Sequence, residues 1–147
     1  MSLRVGVLMG GPSEEREVSI ATGKAVIDAC AENGYTTTEF SFINNYKKHL
    51  QRLKKQNIIF NALHGGIGEN GSIQKWLDKN NLKYTGSGPI ASSLCMDKAA
   101  SKEVAKRNGI ETPDWQLIQR TSQEVKISLP FVVKPNDQGS TVGLSIV

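Results

Sequence analysis

The chain has 147 residues, of which 38% are apolar and 22% are charged, and its formal net charge at pH 7 is +4. These values are typical of a soluble globular protein that can bury a core. The longest apolar stretch near the start, Val5 to Met9, is far below the ~18 residues of a membrane span, and no signal-peptide pattern precedes it. We therefore expect a cytoplasmic protein without a membrane partner. Cys30 and Cys95 lack CxxC spacing and nearby histidines, so we expect two small buried residues and no disulfide or metal site.

The first third of the chain predicts a strand, a loop and a helix. Leu3 to Met9 is a nearly continuous apolar run that predicts the strand, and Gly10 to Ser13 interrupts it. We expect Ser13 to be the N-cap of the following helix and Asn33-Gly34 to end it. The predicted apolar stripe of this helix consists of Val18, Ala21, Ala25 and Ala29.

The middle of the chain continues the alternation of strands and helices. Thr36 to Phe42 and Ile58 to Leu63 predict strands, Gly71 to Asn80 predicts a helix, and Lys83 to Thr85 predicts a short further strand. Such alternation favours an α/β fold with an open parallel sheet flanked by helices, because parallel strands need helical crossovers.

A basic segment lies between the second and third predicted strands. Tyr46, Leu50 and Leu53 repeat at helical spacing, which predicts an amphipathic helix whose basic residues lie on the outer face. Those residues are Lys47, Lys48, Arg52, Lys54 and Lys55. No aromatic interleaving or recognised nucleic-acid module accompanies them, so we expect a solvated face and no nucleic-acid partner.

The pattern changes near residue 111. Helices are predicted for Ile90 to Cys95 and for Asp97 to Asn108, with Asp97 as the cap of the second, whereas only strand patterns follow from Trp115. We therefore expect one domain over residues 1–111 and the incomplete beginning of another over residues 112–147. Fewer than ~40 residues seldom fold alone, so weak order is predicted after about residue 112.

A loop led by a lysine and rich in glycine and hydroxyl groups runs from Lys134 to Gly143. The apolar segments Phe131 to Val133 and Gly143 to Val147 predict antiparallel strands on its two sides, so the loop is the tip of a hairpin. Loop amides, hydroxyls and one ammonium group suit phosphate, although a Walker loop would place its lysine after the glycines. An ordinary flexible hairpin is the alternative.

Glu15 and Ser19 follow the first strand, at the sheet edge where ligands collect in open parallel sheets. Glu15 either complements the helix dipole, as Glu14 and Glu17 also would, or binds the ammonium group of a substrate. The sequence gives these alternatives similar weight. Ser19 lies one turn beyond Glu15 on the same helical face, so we treat it as a second candidate substrate contact.

His64 and Lys98 are the other candidates outside the hairpin. His64 stands where the third strand gives way to glycines, and it either contacts a substrate or is satisfied by nearby backbone groups. Lys98, beside a helix start, either reaches a phosphate or is a solvated surface lysine. No spacing is characteristic of a metal site, and the absence of G-x-G-x-x-G after the first strand disfavours a nicotinamide cofactor.

Five motifs occur in order along almost the whole chain. They are Gly10-Gly11 through Ser19, Ala62 to Gly65 with Gly68 to Gly71, Tyr84 to Gly88, Met96 to Lys98, and Val133 to Pro135 with Gly139 to Gly143. Together they resemble the D-alanine–D-alanine ligase family of ATP-grasp enzymes. The resemblance implies a Rossmann-like, pre-ATP-grasp substrate domain, followed by the start of an α+β ATP-grasp domain.

The resemblance also implies a reaction that supplies peptidoglycan precursors. The carboxylate of one D-alanine attacks the γ-phosphate of ATP, and the amine of a second D-alanine then displaces phosphate from the acyl phosphate. Glu15 resembles the residue that holds the first ammonium group, with support from Ser140, and His64 resembles the residue near the carboxylate. The positions that resemble ATP phosphate contacts are Lys98, Lys134, Ser140 and Thr141.

The chain departs from the family pattern at three places. Asn70 stands where aspartate is common, and Ile146 stands where lysine is frequent. The adenine-binding segment, the acidic ligands of two Mg2+ ions and an arginine for the tetrahedral intermediate are all expected beyond Val147. The resemblance thus implies ATP and Mg2+ as cofactors but predicts that this chain alone does not complete the reaction.

Two alternatives to this function remain open. One is a sister ligase that joins D-alanine to D-lactate or D-serine, since the choice of acceptor depends largely on segments outside this chain. The other is a non-catalytic remnant that binds a partner or D-alanine without turnover. Because the family is commonly dimeric through this part, the resemblance also implies a homodimer.

Overall fold

The computed structural model describes residues 2–147, which form two compact units, one through Ser93 and the other from Leu94. The elements of the first unit are β1 (Arg4–Gly10), α1 (Arg16–Glu32), β2 (Thr36–Phe42), a 3-10 turn (Tyr46–His49) that runs into α2 (Leu50–Leu53), β3 (Ile58–Asn61), a 3-10 turn (Gly66–Gly68), α3 (Ser72–Lys79) and the start of α4 (Pro89–Met96). The second unit contains α5 (Lys98–Arg107), β4 (Val132–Val133) and β5 (Ser145–Ile146).

The first unit is built on a parallel sheet of strand order β2-β1-β3. Val5 pairs with both Thr37 and Ile58, so β1 is the central strand. The predicted strand at Lys83 to Thr85 is reduced to one parallel bridge between Ile59 and Tyr84. The open parallel sheet expected from the sequence is confirmed.

Both faces of the sheet are covered, as the near-continuous apolar sequence of β1 predicts. On one face Leu8 packs in a buried cluster with Leu53 and Leu77, from α2 and α3. On the other face Val7 and Met9 form a cluster against α1. The alternation along β1 therefore directs neighbouring side chains into two separate cores.

Helix α1 uses a different face from the one predicted. Val18 is 51% exposed, and Ala21, Ala25 and Ala29 are also exposed, so the predicted apolar stripe is wrong. The buried residues of this helix are Ser19 and Gly23. A Cβ added at Gly23 would lie 2.6 Å from Met9 Cε, so the missing side chain lets the helix approach β1 closely. Close backbone approach, rather than an aliphatic stripe, decides which face packs.

The basic segment adopts the predicted amphipathic arrangement. Leu53 is fully buried, and Tyr46 and Leu50 pack partly buried against the same core. The five basic side chains are exposed. Arg52 lies 5.1 Å from the centroid of the Phe40 ring, a cation-π contact.

The second unit has little regular structure beyond α5. Asp97 caps this helix as predicted, and Gly109 follows its end with φ of 71°. The strand patterns read from Trp115 onward are mostly wrong, because residues 108–131 contain no strand. The antiparallel pairing of β4 with β5 confirms the predicted hairpin around the glycine-rich loop. The expected domain boundary near residue 111 stays a prediction.

Burial differs strongly between the units. Every apolar core residue identified among residues 2–147 lies between Val5 and Leu82. In the second unit, Val132 is 48% exposed and Ile146 is 78% exposed. Cys30 is half-buried and packs against the core, whereas Cys95 is exposed, so the prediction of a buried residue is wrong for Cys95. Neither cysteine forms a disulfide.

Candidate active site

The carboxyl ends of β1 and β3 lie next to each other at one edge of the sheet in the first unit, and we refer to this edge as the crevice. From β1 the chain passes through α1 to β2, which pairs with one edge of β1. It then continues through α2 to β3, which pairs with the other edge of β1. Ligands of open parallel sheets bind at such a reversal of strand order. The loop that contains Glu15 and the loop that begins at His64 both lie at this reversal.

Ser19 joins the two strands beneath the crevice. Its side chain is fully buried. The Gly10 N–H donates to Ser19 Oγ at 2.9 Å, and Ser19 Oγ donates to the Ala62 carbonyl at 2.7 Å. Both partners are backbone groups, so the structure gives Ser19 a positioning role. A direct contact of Ser19 with substrate stays a prediction.

Arg16 joins the ends of β1 and β2, a role that the sequence analysis missed. Its Nη1 donates to the Gly11 carbonyl at 3.1 Å and also to the Phe42 carbonyl at the end of β2. The guanidinium group therefore satisfies carbonyls from two neighbouring strand ends. The side chain of the residue that follows Glu15 thereby fixes the start of α1 against the sheet.

The first loop and α1 hold His64 at two points. Ser13 Oγ donates to the His64 carbonyl at 2.5 Å, and a 3.0 Å hydrogen bond joins Thr22 Oγ1 to His64 Nε2. Ser13 is therefore not the side-chain cap that we predicted, because α1 has Glu15 at its N-cap and no side-chain cap hydrogen bond. Glu15, Ser19 and Thr22 share one helical face at spacings of four and three residues, a signal that could have revealed Thr22.

Glu15 and the His64 loop meet at Gly65. A Cβ added at Gly65 would lie 2.6 Å from Glu15 Oε2, and the φ of this glycine is 65°. Only glycine adopts this backbone conformation without strain and leaves room for the carboxylate. The structure thus brings Glu15 beside the histidine loop, although Glu15 and Gly65 are 50 positions apart in sequence.

The remainder of the second loop is supported from α3 and β3. Asn61 Nδ2 and Gln74 Nε2 both donate to the Gly68 carbonyl, at 3.0 and 2.8 Å. Asn70 Oδ1 accepts a hydrogen bond of 3.0 Å from the Ser72 N–H at the start of α3. An amide oxygen is sufficient for this contact, so Asn70 serves the start of α3 although the resemblance implies an aspartate here.

Lys98 lies beside the glycine-rich loop of the second unit. Lys98 Nζ donates to the Gln138 carbonyl, and the Lys98 N–H donates to the Asn136 carbonyl at 3.0 Å. The structure therefore brings one predicted phosphate contact to the loop that carries the others. Lys134, Ser140 and Thr141 are all exposed, and Ser140 has a left-handed φ of 52°.

The Asp97 carboxylate lies at the start of α5 and is hydrogen-bonded to the glycine-rich loop. Its Oδ1 accepts from the Ala100 N–H and from Asn136 Nδ2, both at 2.9 Å. The Ala100 amide, and then Asn136, lower the pKa of Asp97 because both donate to its charged form. The negative charge also stands at the positive end of α5.

The predicted pairing of Glu15 with Ser140 stays a prediction, since the two residues belong to different compact units. Within residues 2–147, no three His, Cys, Asp or Glu side chains come close enough to hold a metal ion. No described helix combines the length and the apolar character that crossing a membrane requires.

Comparisons with known proteins identify a consistent set of relatives. The chain is 42% identical to the D-alanine–D-alanine ligase of Pelotomaculum thermopropionicum, and the alignment covers 100% of this chain and 50% of that protein. No family model matches the chain. The chain spans about half the length of the curated relatives it matches.

Solved structures give the same result. The D-alanine–D-alanine ligase of Bacillus anthracis matches with a TM-score of 0.88 and 38% identity, over 99% of this chain and 49% of that one. A structure of the Bacillus anthracis ligase in complex with ATP matches with a TM-score of 0.87 and 36% identity, over 100% of this chain and 49% of that one.

Proposed function

We propose that this chain belongs to the D-alanine–D-alanine ligase family and provides the N-terminal substrate-binding half of an enzyme that joins two D-alanine molecules with ATP. Its similarity to ligases of that name over about half of their length supports this proposal. The dipeptide product would serve peptidoglycan precursor synthesis in the cytoplasm. The resemblance implies that the enzyme acts as a homodimer.

The proposed reaction has two steps. A carboxylate oxygen of the first D-alanine attacks the γ-phosphorus of ATP, the bond to the β-phosphate oxygen breaks, and ADP leaves. The amine of the second D-alanine then attacks the acyl carbon, loses a proton, and expels inorganic phosphate. Both steps develop negative charge on oxygen, so their catalysis depends chiefly on well-placed positive groups and amides.

The position of Glu15 beside Gly65 and His64 is the observation that carries the proposal. A free amino acid is a zwitterion, so its binding site needs a negative group for the ammonium and a polar or positive group for the carboxylate. Glu15 supplies the first, and His64, fixed through Nε2 by Thr22, supplies the second. Both lie at the strand-order reversal, which is where ligands of open parallel sheets bind.

The second unit would contribute the phosphate contacts. Lys98 and Lys134 would pair with phosphate oxygens, while Ser140, Thr141 and their amides would donate hydrogen bonds to them. The likeness to a ligase structure that contains ATP supports ATP as the nucleotide. The resemblance implies that acidic residues beyond Val147 would hold Mg2+.

Phosphate release by the complete gene product tests this function. We expect release from ATP to require D-alanine and to be absent with L-alanine or glycine. Equal rates with the three amino acids would contradict the proposal. Adding D-lactate or D-serine beside D-alanine and analysing the products by mass spectrometry distinguishes a sister ligase from a D-alanine–D-alanine ligase.

The 147-residue chain provides the matched control for that assay. We propose that it does not release phosphate under the same conditions, because the metal ligands of the reaction would be absent. Calorimetry with D-alanine on the same chain would show whether it retains binding without turnover. D-alanine-dependent phosphate release by this chain alone would contradict the proposal that the reaction needs residues beyond Val147.

A further inference from the structure

Asn136 connects the glycine-rich loop to the first turn of α5 through three hydrogen bonds. Its carbonyl accepts from the Lys98 N–H at 3.0 Å, and its Oδ1 accepts from the Ala99 N–H at 3.0 Å. Its Nδ2 donates to Asp97 Oδ1 at 2.9 Å. One residue of the loop thus uses its backbone and both polar atoms of its side chain on the helix start.

These contacts occupy the groups that a helix start would otherwise offer to an anion. The first amides of a helix lack partners within the helix and commonly bind phosphate. In α5, Asn136 takes the amides of Lys98 and Ala99, and the Asp97 side chain takes the amide of Ala100. The Asp97 carboxylate would in addition repel an anion. The start of α5 therefore supports the loop rather than binding phosphate itself.

The same contacts hold the backbone near Lys134 beside the backbone of Lys98. The N–H of Lys98 is one of the amides that Asn136 binds, and Lys134 precedes Asn136 by two residues. Lys98 Nζ donates to the Gln138 carbonyl, further along the same loop. An ammonium group has three donors, so this contact leaves Lys98 able to bind a phosphate oxygen as well.

We propose that Asn136 is a positioning residue for ATP: by holding the loop on the start of α5, it places Lys98 and Lys134 to contact phosphates of the same nucleotide. This inference rests on the proposed function for the identity of the nucleotide. It assigns Asn136 no contact with the substrate. Its effect on ATP binding passes through the two lysines and the loop amides.

The test compares Asn136→Ala with Asn108→Ala in the complete gene product. Asn108 is a matched control, because its Nδ2 donates to the Val104 carbonyl at 2.8 Å at the opposite end of the same helix. We expect Asn136→Ala to weaken ATP binding, measured by calorimetry, by about tenfold, since it loses both side-chain hydrogen bonds to the helix start. Asn108→Ala should change ATP affinity less than about twofold.

The steady-state constants separate positioning from general damage. Asn136→Ala should raise the KM for ATP by a similar factor of about ten and leave the KM for D-alanine within about twofold, because only the phosphate contacts move. Equal ATP affinity in wild type and Asn136→Ala would overturn the proposal. So would an equal rise in both KM values.

An exchanged pair tests the same contact if Asn136→Ala folds poorly. Asn136→Asp alone places two carboxylates at 97 and 136 and should weaken ATP binding at neutral pH. Combining it with Asp97→Asn restores an amide donor and a carboxylate acceptor at the two positions, with their places exchanged. The double variant should recover at least half of the lost ATP affinity on a logarithmic scale. A double variant no better than Asn136→Asp would contradict the proposed contact.

The outcomes distinguish this inference from the proposed function. If wild type binds ATP but releases phosphate without D-alanine, the proposed function fails while the effect of Asn136 is still measured. If wild type depends on D-alanine and Asn136→Ala retains its ATP affinity, the function stands and the inference fails. If wild type does not bind ATP, both are wrong.

Discussion

The two units support their candidate residues in different ways. In the first unit, Glu15 and His64 lie at the ends of strands whose side chains fill two buried cores. In the second unit, Lys98 lies at a helix start and Lys134 lies on an exposed loop. No apolar residue described in this unit is buried. The first site depends on the sheet for its geometry, and the second depends on a few local hydrogen bonds.

This difference assigns different physical consequences to mutations in the two units. At the crevice, the contacts of Ser19 and Arg16 are made to backbone groups of neighbouring strands, so a change there affects the sheet as well as the site. At the loop, the hydrogen bonds of Asp97 and Asn136 are only partly buried and involve no residue of either core, so a change there should affect phosphate contacts with little effect on the core. Stability and function should separate in the second unit and not in the first.

Hydrogen exchange of the 147-residue chain should show the largest contrast. We expect amides of β1 to be protected at least about a thousandfold more than those of residues 112–147, because local opening is easiest where few apolar contacts are buried. Mass spectrometry of peptides from the two regions measures this. Strong protection from Phe131 to Val147 in the monomer would contradict the comparison.

Gly65→Ala tests how closely the crevice is built. The added Cβ would lie 2.6 Å from Glu15 Oε2, so the carboxylate must move, and a shift of about 1 Å costs roughly a hundredfold in kcat/KM. Gly34→Ala is the control: φ is 75° there, but the added Cβ meets no atom within 4 Å. Gly34→Ala should lose about 1–2 kcal/mol of stability from backbone strain, and Gly65→Ala about 1–3 kcal/mol. If their kcat/KM values for D-alanine are the same, Glu15 is not held as described.

Ser19→Ala should destabilise the first unit by about 2–4 kcal/mol, because it removes the side-chain partner of two buried backbone groups, the Gly10 N–H and the Ala62 carbonyl. Ser2→Ala removes an exposed hydroxyl that donates to the Gly34 carbonyl and should cost less than about 0.5 kcal/mol. Urea unfolding of both variants makes the comparison. Equal losses would show that the tie between β1 and β3 adds no stability.

The smallest expected effect is on the pKa of Asp97 and on the loss of stability of the second unit at low pH. The pKa of Asp97 is lower in the folded chain than its ordinary value, so its contribution is fully present above the ordinary aspartate pKa and is lost as pH falls through the folded pKa. Asn136→Ala removes one donor and should raise the pKa of Asp97. Carbon NMR titration of the Asp97 carboxyl measures this, and an unchanged pKa would show that Asn136 does not stabilise the carboxylate.

The sequence predicted the parts of the fold that depend on regular patterns. The three strands of the parallel sheet, the amphipathic basic segment and the Asp97 cap follow from periodicity and local propensity, and the structure confirms them. The packed face of α1 did not follow, because Gly23 and Ser19 carry no hydrophobic signal and pack through close approach and hydrogen bonds. The strand patterns after Trp115 were wrong, since β propensity alone does not form a sheet without partners.

The candidate site was predictable in its residues but not in its supports. Glu15 and His64 were proposed from loop position and from the resemblance. The long-range contacts of Arg16 and Thr22 were missed, although Thr22 shares a helical face with Glu15 and Ser19 and could have been suspected from that spacing. Asn136 was part of the predicted loop, yet its contact with the Asp97 side chain spans 39 residues. Such contacts become visible only when separate elements meet in three dimensions.

Glu15→Gln and Glu14→Gln, compared in the complete gene product, test the central claim most directly. Glu15 lies against Gly65 in the crevice, whereas Glu14 is exposed. We predict that Glu15→Gln lowers kcat/KM for D-alanine by at least about a hundredfold, because the charge that holds the substrate ammonium is lost, and that Glu14→Gln changes it less than about twofold. Equal effects of the two substitutions would contradict the account and leave Glu15 a role in the helix dipole alone.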